Sequence, residues 1–158
     1  MRRHTMMPMR FCLPMLVAIV AASACSGSNN SSSTTAPTQN ITTDVLTGTV
    51  LPPVNGVLQS SVNNFTVGQG GGNVSVTLTS ATETLPNGTL LTTVAMGLAV
   101  GSSSITGCTP LANSFTTAQA SGTAQLTGSL NAGSYCVIVS DITNQVGPVA
   151  YAVAVSHP

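Results

Sequence analysis

The chain contains no tryptophan, and only two tyrosines and three phenylalanines occur in its 158 residues. It contains no lysine, and its three arginines, Arg2, Arg3 and Arg10, all precede residue 11. Beyond Arg10 nothing can displace counterions from phosphates, which excludes nucleic acid as a partner of that part of the chain. Electrostatic capture of anionic lipid headgroups is excluded on the same ground. Interfaces that draw their energy from Trp, Tyr and Arg anchors have almost none to use.

Catalytic groups are equally scarce. The acids are Asp44, Glu83 and Asp141, far apart in sequence, so no carboxylate pair for glycoside cleavage stands out. They are too scattered for a good Ca²⁺ site, which needs several oxygen ligands with enough negative charge. Asp44 and Asp141 are the only candidates, and a solvated acid and a turn-stabilising side chain are the plainer readings of them. A serine nucleophile needs a base within hydrogen-bond reach. His157 is the one histidine outside the amino-terminal stretch, and it sits beside Pro158, where chains usually fray. Gly68-Gln-Gly-Gly-Gly72 has no following lysine and does not read as a phosphate cradle. The expectation is a protein with no catalytic residue, no metal site and no cofactor.

What is present begins with an address. MRRHTMMPMR, an apolar run and small residues at Ala22-Ser23-Ala24 form the basic, oily and cleavable parts of a secretory signal peptide over residues 1–24. The run from Phe11 to Ala22 is about 12 residues, broken by Pro14, whereas a membrane-spanning helix needs roughly 20. No later stretch qualifies as a span. Cys25 follows the cleavage site directly, and Ala22-Ser23-Ala24-Cys25 resembles the lipobox of bacterial lipoproteins, with Ala22 where Leu is usual. The resemblance implies acylation of Cys25 and attachment to the cell envelope; Ser26 after it favours the outer membrane over the inner. Two or three acyl chains on one residue hold a protein far more firmly than a single chain does. The competing reading is a soluble secreted protein with a terminal thiol.

The cysteine count fits the lipid. Cys12 leaves with the signal peptide, and Cys25, Cys108 and Cys136 remain, an odd number for an exported chain. A disulfide between Cys108 and Cys136 leaves Cys25 for acylation. Cys108, in Gly107-Cys-Thr-Pro110, reads as a loop residue, and Cys136 as lying on the outer face of a strand. No C-x-x-C spacing or neighbouring histidine suggests redox or metal chemistry instead.

Residues 25–43 are small and polar without apolar rhythm, and read as a lipidated cysteine followed by a flexible tether that spans on the order of 25 Å. From Asp44 the period becomes two. Val74, Val76 and Leu78 alternate with Ser75, Thr77 and Thr79. Val94, Met96, Leu98 and Val100 share a face, as do Val149, Tyr151, Val153 and Val155. Ala124, Leu126 and Leu130 are placed inward in a further strand, and Tyr135, Val137 and Val139 in another. Turn residues at Gly68–Gly72, Pro86-Asn-Gly88 and Asn131-Ala-Gly133 punctuate these runs, and Pro52-Pro53 ends the first at about Leu51. No segment carries a helical stripe. Residues 44–158 are therefore predicted to be an all-β antiparallel sandwich, jelly-roll-like, of about eight strands.

Asn64-Phe-Thr-Val67, Gly72-Asn-Val-Ser-Val-Thr-Leu78, Leu130-Asn-Ala-Gly-Ser-Tyr-Cys-Val-Ile-Val139 and Ala150-Tyr-Ala-Val-Ala-Val155 follow in order. This succession resembles the bacterial pre-peptidase C-terminal domain, a small sandwich attached to secreted proteases and surface proteins. The resemblance implies a non-catalytic binding or secretion-related accessory. Partners are expected at the membrane, through the lipid, and at a sheet edge, since no lysine guards any edge against pairing.

Overall fold

The computed structural model describes residues 39–158. The signal peptide, Cys25 and most of the tether lie outside the described residues. Alternation of apolar and small polar residues produces nine strands: β1 (Thr42–Val50), β2 (Ser60–Val67), β3 (Gly72–Thr84), β4 (Leu90–Leu91), β5 (Ala95–Ser104), β6 (Gly107–Gln119), β7 (Leu126–Leu130), β8 (Gly133–Ser140) and β9 (Val149–His157). There is no helix among the described residues, and none long and apolar enough to cross a membrane.

Two antiparallel sheets face each other. One runs β1-β9-β3-β4, with β7 added alongside β3; the other runs β2-β8-β5-β6. Only the β3–β4 and β5–β6 connections stay within a sheet; every other link crosses to the opposite one. The all-β sandwich read from the alternating pattern is the fold, with the two-residue β4 as the additional strand.

The inward face of each strand supplies the core. Val74, Val76, Leu78, Val149, Tyr151, Val153 and Val155 of the first sheet meet Met96, Leu98, Val100, Val137 and Val139 of the second. Burial of such aliphatic side chains is worth about 1.5–3 kcal/mol each relative to exposure, which offsets the nearly uncharged, threonine-rich exterior. Three details differ from the sequence reading. Ala124 is exposed and precedes β7, which begins only at Leu126. The loop before it turns back onto β3 instead, with Ser121 and Gln125 donating to Leu78 and Val76 carbonyls. The body begins at Thr42, two residues inside the expected tether, because Thr42 and Thr43 pair with His157 and Ser156.

Candidate functional site

The Cys108–Cys136 disulfide is formed, with a Cα–Cα distance of 6.0 Å. Cys108 lies in β6, paired with Ser103, rather than on a loop. The correction has a steric origin. β5 runs between β6 and β8, so the bridge must pass over β5, and the residue beneath it is Gly101. A Cβ at Gly101 would sit 2.7 Å from Cys108 Sγ and 2.6 Å from the Thr109 carbonyl oxygen. Glycine here lets a neighbouring group approach the backbone closely. Cys136 is fully buried under the bridge, with no exposed face.

The three acids all have partners inside the body. Glu83 is buried, and its Oε1 accepts from the amides of Val146 and Gly147 at 2.6 and 2.8 Å. Asp141 is buried as well, and its Oδ1 accepts from Thr143 and Asn144 amides at 2.9 and 3.2 Å. That is the turn-stabilising role read from its position. Asp44 is not simply solvated: its Oδ2 lies 3.1 Å from Nε2 of His157. His157 does not fray. It ends β9 opposite Thr42, is 6% exposed, and its ring packs against Phe65 at 5.6 Å between centroids. Its Nδ1 meets the Pro158 carbonyl at 3.1 Å, so both ring nitrogens are engaged. The Gly68 amide also ties down the Pro158 carbonyl, which holds the end of the chain against the body. Among the described residues, no three His, Cys, Asp or Glu side chains converge as metal ligands would.

The two flanks of the sandwich differ. On one flank β1 and β2 lean together. Tyr151 projects from β9 over Gly48, where a Cβ would meet its hydroxyl at 2.5 Å. The hydroxyl donates to Ser61 and accepts from Asn63 on β2, both at 2.7 Å, and so ties one sheet to the other.

On the opposite flank β6 and β7 stay apart. Ala99 pairs with Phe115, but Gly101 pairs with Pro110, so Leu111–Ser114 bulge out of the β6 ladder, with Asn113 at a φ of 57°. Between this bulge and β7 lies a cleft of about 280 Å³ that reaches Val74, Val76 and Val100 at its floor, with Leu111, Leu126 and Leu130 on its walls. Its mostly apolar lining opens to solvent along a strand edge. The sequence reading anticipated an unguarded edge without locating it. The overlooked signal was Gly128, a glycine inside an alternating strand.

A further apolar surface caps the end of the sandwich where β1 stops. Leu51, Val54, Val57 and Leu58 of the β1–β2 connection are exposed there, with Leu90 of β4 and Val146 of the β8–β9 connection. Pairing of Val149 with both Val50 and Glu83 places these segments at the same end. The chain enters the body at the other end, through Gln39 and Thr42.

No family model, curated protein or solved structure matches the chain.

Proposed function

We propose that this protein is a non-enzymatic module of the bacterial cell envelope, held at the membrane by acyl chains on Cys25, that acts by binding other protein surfaces. The observation that carries the anchoring is the cysteine directly after Ala22-Ser23-Ala24, ahead of a polar stretch too poor in apolar residues to fold alone. Two features of the body support the binding role. Its histidine and its acids are committed to internal contacts, Asp44 with His157, Glu83 and Asp141 with backbone amides. Leu51, Val54, Val57, Leu58, Leu90 and Val146 form an exposed apolar surface at the end opposite the one the chain enters.

Cell fractionation tests the anchor. Wild-type protein is expected in the membrane fraction, and Cys25→Ala in the soluble fraction; a Cys25→Ala protein that stays with the membrane removes the lipid from the account. A broad hydrolase screen tests the rest, since turnover abolished by His157→Ala would make the protein an enzyme.

A second reading is an accessory of a secreted protease. The ordered strand motifs that resemble the pre-peptidase C-terminal domain favour it. Co-purification of a protease with the anchored protein, lost on deletion of residues 44–158, would select it.

A further inference from the structure

We propose that β7 is a self-complementary edge through which two copies of this chain join their five-stranded sheets, antiparallel about Gly128. The inference deepens the protein-binding role proposed above and is independent of the lipid.

β7 is an unprotected edge of the five-stranded sheet. It pairs with β3 on one side only, from Gly72↔Leu130 to Val76↔Leu126, with no break in register. Three other edges are blunted by ordinary devices, whereas β2 (Ser60–Val67), like β7, has no charge and no proline. β6 carries Pro110 and the bulge at Leu111–Ser114. β1 bears Asp44, which bonds to His157. β4 has two residues. β7, in contrast, is Leu-Thr-Gly-Ser-Leu, with no charge and no proline.

That pentapeptide reads nearly the same in both directions. A twofold axis through Gly128 sets Leu126 opposite Leu130 of the second copy, Thr127 opposite Ser129, and glycine opposite glycine. An isologous contact needs this self-complementarity. Apolar pairs and hydroxyl pairs are also the favourable cross-strand neighbours.

Gly128 is the second observation. A Cβ built on it would meet nothing within 4 Å, and its φ is not in the left-handed region. The protein's own fold therefore gives no reason for glycine here, in contrast to Gly48 and Gly101, which are pressed by Tyr151 and by the disulfide. A glycine in a free edge strand suits the close approach of another backbone.

The cleft is the third. Gly128 and Leu126 pair with Val74 and Val76, so the inward face of β7 is the face that lines the cleft. In a continuous antiparallel sheet, Leu126 and Leu130 of the second copy project to that same face. Each copy's leucines would then cover the apolar cleft of the other, and the sheet edge would disappear into a ten-stranded sheet. Five residues make a small contact, so the association is expected to be weak and to depend on protein concentration.

The test uses the full chain with Cys12→Ser and Cys25→Ser, which removes the lipid and every thiol outside the Cys108–Cys136 bridge. Gly128→Cys is expected to form an intermolecular disulfide under mild oxidation, whereas Gly122→Cys, at another glycine with open space around it, is expected to remain monomeric. Without added cysteine, sedimentation at high concentration should give a dimer, and Gly128→Lys should halve the mass with an unchanged melting temperature. Equal cross-linking at 122 and 128, or a Gly128→Lys protein that sediments like its parent, would overturn the proposal. If Gly128→Cys in intact cells traps a different envelope protein and not a second copy, self-pairing is wrong and edge binding stands. If it traps neither, both fail.

Discussion

Single residues explain why so uncharged a chain tolerates the few polar groups it buries. Glu83 is fully enclosed, yet it satisfies two amides of the β8–β9 connection at once. Glu83→Ala would leave both amides without an acceptor and should cost about 3 kcal/mol of stability. Glu83→Gln keeps one acceptor oxygen in place and should cost about 1 kcal/mol, a difference that urea denaturation of the two variants resolves. Tyr151 makes a comparable bond between sheets. Tyr151→Phe retains the packing over Gly48 but removes the hydroxyl that Ser61 and Asn63 share. A loss of about 1–2 kcal/mol is expected, and Gly48→Ala should be worse than Tyr151→Phe because its methyl group collides with the ring. Neither role was legible in sequence: an isolated Glu and an isolated Gly look alike whether they face solvent or a neighbouring strand. The inward direction of Tyr151 was legible, because it keeps step with Val149, Val153 and Val155.

Elements were the most readable scale. A run such as Val74-Ser-Val-Thr-Leu78 specifies a strand and the face it buries, since a one-residue slip would turn every valine to solvent. The runs that failed to read correctly are those where backbone geometry departs from alternation. Around Cys108 the residues Gly107-Cys-Thr-Pro110 look like a turn, but glycine at the opposing position 101 lets the strand continue beneath a disulfide. At Ala124 the alternation continued past the true start of β7, because Gln125 turns its side chain to the Leu78 amide and ends the ladder. The disulfide therefore joins β6 to β8 across β5 and closes a loop with a sequence separation of 28. Its removal by Cys108→Ser with Cys136→Ser should cost roughly 3–4 kcal/mol, read as a lower melting temperature and lower denaturant midpoint. Gly101→Ala should also destabilise the oxidised protein, and by less once the bridge is reduced, since part of the collision is with Cys108 Sγ.

At the scale of the whole molecule, the sandwich has unlike ends and unlike flanks. One end receives the chain and the other carries the exposed Leu51, Val54, Val57, Leu58 and Leu90; one flank is hydrogen-bonded shut and the other opens along β7. This asymmetry emerges only from tertiary pairing, which is why the sequence revealed that edges were unguarded but not which one. The address is the reverse case. The address proposed for the protein rests on a short linear stretch, Ala22-Ser23-Ala24-Cys25, outside the described residues. The central claim is that Cys25 is the acylated first residue of the working protein, and the mass of the amino-terminal peptide from protein isolated out of its native membrane tests it most directly. The expected result is a peptide that begins at Cys25 and carries the added mass of two or three fatty acyl chains. A peptide that begins elsewhere, or begins at Cys25 with an unmodified thiol, would contradict it.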